Sequence, residues 1–156
     1  MRPISLVQTA FSTLTFATLS FLFATVLMSA NTEDFMLESL NDLRWKNRII
    51  LVSHPTSCET EITRLRKADA EVLDRDILWF ALCPNELTTN FTGTIGESFS
   101  ADLIKTYFGE DRTGAVLIGK DGGIKNQAKS LNLIALNQQI DTMPMRQEEM
   151  REKANQ

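Results

Sequence analysis

The sequence predicts an α/β fold with a central mixed sheet of about four strands flanked by helices, and three observations carry that expectation. Residues 49–52 (Ile-Ile-Leu-Val) and 77–82 (Ile-Leu-Trp-Phe-Ala-Leu) are continuous apolar runs, the pattern of strands covered on both faces. Between them lies a charged segment with apolar residues at helical spacing, which implies a right-handed crossover joining two parallel strands. A third apolar run, 113–119, leads into Lys120-Asp121-Gly122-Gly123, a tight turn suited to positive φ that sends the chain back antiparallel.

Residues 3–32 carry no charged side chain; Arg2 precedes an apolar run over 14–28, and Ser29 and Ala30 follow it. That order predicts a secretory signal peptide over 1–30, cleaved after Ala30. Met28 stands where a small residue is preferred, so an uncleaved N-terminal membrane anchor is the alternative. Asn31 or Thr32 can cap a short amphipathic helix over 31–43, in which Phe35, Met36, Leu40 and Leu43 recur at helical spacing. Trp45, next to the first strand, is expected to pack on the core rather than bind a ligand. Pro55 ends that strand, Thr56 or Ser57 offers an N-cap, Glu59 and Glu61 suit a first turn, and Ile62, Leu65 and Val72 mark a helix to about Leu73. Cys83-Pro84 stops the second strand, and residues 85–96 read as a polar loop over the same edge of the sheet. Ser98 or Ser100 opens a helix through Phe108 that Gly109 ends. After the hairpin the return strand runs from Ile124 to about Asn126, and Ser130 opens a last helix that finishes before Pro144. Residues 144–156 are expected as a charged tail, able to form a short terminal helix that frays with a solvated surface. The main domain thus spans 44–143.

Length and charge narrow the function. At 156 residues the chain holds one ordinary domain with appendages, and a net charge of −4 with a pI near 5.0 supplies no basic stripe for nucleic acid. No cofactor is expected: the glycine pair at 122–123 lacks the G-x-G-x-x-G spacing and no helix start follows it. With His54 the only histidine and no Cys/His cluster, no metal site is expected either. A G-x-S-x-G motif is absent, and Asp74, Asp76, Asp111 and Asp121 sit at helix ends and turns, where aspartate serves local hydrogen bonding. Asn90-Phe91-Thr92 fits the glycosylation pattern, a match that is incidental if the source is bacterial.

Cys58 and Cys83 are the candidate site. The crossover places both at the carboxyl edge of the sheet, and in an oxidising compartment an even pair is a disulfide candidate. A structural bridge would close a loop of about 25 residues, worth about 3 kcal/mol. The alternative is a thiol-based redox protein in which Cys58 attacks and Cys83 resolves. A helix N-terminus at Cys58 favours its thiolate, while Glu59 and Glu61 oppose it. His54, at the strand end, reads as a packed or solvent-facing imidazole rather than a catalytic base.

The order β-α-β, helix, β-hairpin, helix resembles the thioredoxin-like core, and residues 116–125 (Val-Leu-Ile-Gly-Lys-Asp-Gly-Gly-Ile-Lys) look like its late hairpin. More specifically, Arg44-Trp-Lys-Asn-Arg48, Tyr107-Phe-Gly109, that hairpin and Ile140-Asp-Thr-Met-Pro-Met-Arg-Gln-Glu-Glu-Met-Arg151 resemble the domain-of-unknown-function 4174 family over roughly residues 40–151. The resemblance implies a thioredoxin-like module found in exported bacterial proteins and in animal extracellular-matrix and sushi-repeat proteins, with no enzymatic residue set to carry over. Compared with catalytic thioredoxins the chain lacks C-x-x-C, having Cys58-Glu-Thr-Glu61, and has no proline before Ala115. The expectation is an exported, periplasmic or secreted module that binds a protein or envelope component or serves structurally. It touches a membrane only if the N-terminal segment is retained.

Overall fold

The structure, a computed structural model, describes residues 36–84 and 86–155; the expected signal segment and the first five residues of the expected N-terminal helix lie outside these. The described part of that helix is something else. It consists of a two-residue strand β1 (Met36–Leu37) and a 3-10 turn over Leu40–Leu43, which Ser39 and Asp42 cap reciprocally. Leu43 reaches the core as the helical spacing requires, but Leu37 is buried in place of Met36, which is 48% exposed, and Leu40 is half-buried, so the spacing misread both the backbone and part of the buried face.

The main chain then runs β2 (Arg48–Ser53), α1 (Glu59–Lys67), α2 (Asp69–Asp74), β3 (Ile77–Leu82), β4 (Leu87–Thr89) and β5 (Thr94–Ile95). It continues through α3 (Phe99–Tyr107), β6 (Gly114–Ile118), β7 (Ile124–Ala128), α4 (Leu133–Asp141) and α5 (Pro144–Ala154). Five strands form one mixed sheet in the order β4-β3-β2-β6-β7, with β2 and β3 parallel and the other pairs antiparallel. This is the α/β sheet flanked by helices that the sequence predicts, with five strands where about four are expected, and it is consistent with a thioredoxin-like class. A separate pair, β1 with β5, runs parallel.

The continuous apolar runs are explained by two cores. Ile50 and Val52 face a layer that includes Leu65, Val72, Leu136 and Ile140, whereas Ile49 and Leu51 face Phe80, Phe99 and Leu103 on the other side. Strand residues alternate faces with period two, so covering both faces requires every position to be apolar.

Three elements differ from expectation. The first helix breaks at Ala68 into α1 and α2, with Ala68 at φ −97° and ψ 24°. The loop after Pro84 adds β4, and Asn90 extends its pairing by side chain: Oδ1 accepts from Trp79 N at 2.8 Å and Nδ2 donates to Ile77 O at 3.1 Å. The side chain of the glycosylation-like triplet is therefore occupied in holding the edge of the sheet. The charged tail is an eleven-residue helix anchored by a buried arginine. Asn132, rather than Ser130, caps α4, accepting from Ala135 N at 3.1 Å. Trp45 is also corrected. It is 63% exposed at φ 64°, its N–H bonded to Lys120 O at 2.7 Å, with the Arg44 guanidinium 5.8 Å from the ring centre.

Candidate functional site

The carboxyl edge of the parallel pair is built by register. Ser53 pairs with Leu82, so the residues that follow each strand emerge side by side. After Ser53 the chain turns through His54 to Ser57 and enters α1, and Cys58 is the residue at its N-cap. The turn is tied by His54, whose Nδ1 accepts from the N–H groups of Thr56 and Ser57 at 3.3 and 3.4 Å and lies 3.0 Å from Thr56 Oγ1. Ser57 Oγ accepts from Glu59 N at 3.2 Å, so Ser57 supplies the helix-start hydrogen bond expected of Thr56 or Ser57. His54 is a turn brace, with its acceptor nitrogen committed to the backbone.

Cys58 and Cys83 are brought together by this turn. Their sulfurs stand at disulfide-bonding distance, with Cα atoms 5.8 Å apart. Cys58 is 1% exposed and belongs to the apolar layer under α1, while Cys83 is half-buried against the same layer. Beside them Ser53 is buried and donates from Oγ to Arg112 O at 2.8 Å and Leu82 O at 3.3 Å. Gly114 pairs with Ser53 from the other side. A Cβ on Gly114 would lie 2.6 Å from Ala128 O, so the close approach of β7 demands glycine there.

At the opposite edge of the sheet lies a second constellation, which reading the sequence missed. Arg48, 1% exposed, holds both Glu149 oxygens at 3.1 Å and donates to Arg75 O at 2.9 Å. Lys120 reaches Glu149 at 2.7 Å and Asp76 at 2.8 Å, and Arg75 holds Asp141 at 2.7 Å. Arg146 pairs with Asp74 and lies 3.4 Å from Asp141. Burial alone would push the Glu149 carboxyl up, but hydrogen bonds from Arg48 and Lys120 outweigh it and hold it below the usual range. Asp141 is likewise lowered, mainly by the Arg75 hydrogen bond, and Asp74 mainly by that of Lys153. The sequence signal was the Arg146-x-x-Glu149 spacing, which puts both groups on one helix face.

Next to this network is a groove of about 430 Å3 lined by Trp45, Lys120, Lys125, Met143, Pro144 and Met145 among others. Among the described residues no cluster of three or more His, Cys, Asp or Glu is placed to hold a metal, and no helix is long and apolar enough to cross a membrane.

Fold and site together define a mixed α/β domain with a cysteine pair at one end of the sheet and a charge network at the other. The family model described as "Domain of unknown function (DUF4174)" matches residues 39–149, and the chain belongs to that family. Neither a search of curated proteins nor a search of solved structures finds a match. The Arg44–Arg48 and Ile140–Arg151 stretches, far apart in sequence, meet through the Arg48–Glu149 pair.

Proposed function

We propose that this chain is an exported module, periplasmic or secreted, that binds a protein or envelope component and uses its cysteines as a structural staple. The observation that carries this reading is the environment of Cys58. An attacking thiol must be reached by its oxidant, and reactive cysteines sit in partly exposed, electropositive surroundings. Cys58 is instead closed into an apolar layer beside its partner, with Glu59 and Glu61 in the first turn of the helix it caps. Export supplies the oxidising compartment in which such a bridge persists. The binding surface on this reading is the groove beside Trp45, because a large aromatic held in the left-handed region and exposed contributes nothing to the core.

Alkylation of the exported protein before and after reduction, with peptide mapping and a peroxide time course, tests the proposal. A Cys58–Cys83 bridge that resists mild reductant, and a reduced form that peroxide oxidises only slowly, are expected. Rapid oxidation of Cys58 followed by a labile bridge to Cys83 would overturn it in favour of the thiol-redox reading. Mass spectrometry of the mature N-terminus tests the export route: a start near Asn31 is expected, and a retained 1–30 segment would mean a membrane-anchored form.

A further inference from the structure

We infer that α5 is an electrostatic latch, released by acid while the sheet stays folded. A helix docked by the hydrophobic effect presents an apolar stripe. In α5 the one buried residue is Arg146, at 3% exposure; Met150 is half-buried, and no residue of the helix joins either apolar layer. Arg146 donates to Asp74 O at 2.7 Å and pairs with the Asp74 carboxylate and with Asp141. Glu149 sits between Arg48 and Lys120, and Lys153 reaches Asp74 at 2.9 Å.

The charged groups around α5 come from several elements: Arg48 from β2, Asp74 from α2, Lys120 from the hairpin and Asp141 from α4 pair with it directly, while Arg75 after α2 and Asp76 before β3 pair with Asp141 and Lys120. On the outer surface of α5, Arg151 pairs with Glu148 and takes no part in docking. Among the described residues, five cations (Arg48, Arg75, Lys120, Arg146 and Lys153) share four carboxylates (Asp74, Asp76, Asp141 and Glu149). Protonating those carboxylates leaves the cations facing one another with no counter-charge, so the same contacts that dock the helix then repel it. The sheet stays folded when the helix leaves, because its strands are held by backbone ladders and two apolar layers. Release also moves a wall of the Trp45 groove, since Met143 caps α5 and Pro144 and Met145 are its first residues.

Amide hydrogen exchange on the whole chain, corrected for the intrinsic rate at each pH, tests the latch. Between about pH 7 and about pH 3.5, protection of the amides over 147–154 is expected to fall at least tenfold and to end at least tenfold below that of β2, β3 and β6. A smaller fall over 147–154, or protection there equal to that of the sheet at the lower pH, overturns the inference. Glu149→Gln strands Arg48 and can unfold the chain, so the second variant is Lys153→Gln, on an exposed side chain. It returns Asp74 toward its ordinary value and is expected to move release to higher pH; an unmoved midpoint would remove Asp74 from the latch.

Discussion

Asn90 and Trp45 show how a single residue's role depends on partners that its neighbours in sequence do not reveal. Asn90 satisfies one N–H and one C=O on β3, beyond the last backbone pair that β4 can make. Replacing it with alanine leaves both groups to be satisfied by water at a part-buried edge, and Asn90→Ala is expected to cost about 1–3 kcal/mol in urea denaturation. Trp45 and Trp79 give opposite expectations from the same side chain. Trp79 is buried within β3, so Trp79→Ala should cost about 3–5 kcal/mol. Trp45→Gly removes an exposed ring and relieves a left-handed backbone, and stability should stay within about 0.5 kcal/mol of the parent. A loss of several kcal/mol at Trp45 would mean that its ring packs against the core after all.

At the scale of elements, the disulfide and the latch act on opposite ends of the same two strands. The cysteine pair ties the start of α1 to the end of β3, constraining a crossover already directed by the Ser53–Leu82 register. Its effect lies mainly in the unfolded chain, where it closes a loop spanning a sequence separation of 25. The double variant Cys58→Ala/Cys83→Ala is therefore expected to keep the fold and lose about 3 kcal/mol of unfolding free energy, with reduction of the parent giving a similar loss. Circular dichroism during urea titration checks both. The break at Ala68 lets α1 and α2 follow the twisted sheet as two short helices, placing Asp74 and Arg75 at the latch.

For the whole molecule, the carboxylates with lowered pKa set the response to acid. Asp74, Asp121, Asp141 and Glu149 all lie below their ordinary values when folded, through hydrogen bonds and charges from Lys153, Lys125, Arg75, Arg48 and Lys120. Groups of that sign add stability that is complete above the unfolded pKa and lost as pH falls through the folded one. Unfolding free energy measured by urea titration should thus be level from neutral pH down to about pH 5 and fall steadily below about pH 4. A profile that stays level to about pH 3 would show that these ion pairs do not distinguish the folded chain from the unfolded one. Salt is expected to act more weakly than acid, because Arg48 and Arg146 are buried and poorly screened.

The sequence by itself determined the class of fold, the two parallel strands, the hairpin and the edge at which both cysteines lie. Each of these follows from local pattern: period-two burial on both faces, helical spacing between the strands, and a turn whose glycines permit positive φ. Residues 36–43, Trp45, α5 and the union of Cys58 with Cys83 were decided only by tertiary structure. Helical spacing puts Met36 on the buried face with Leu40 and Leu43, whereas the strand and 3-10 turn bury Leu37 instead, an exchange set by the pairing of β1 with β5. The charges of α5 read as solvated until Arg48, about a hundred residues earlier, is placed beneath them. Whether two thiols meet depends on a turn geometry that His54 and Ser57 set through hydrogen bonds, and those exist only once β2 and α1 are in place.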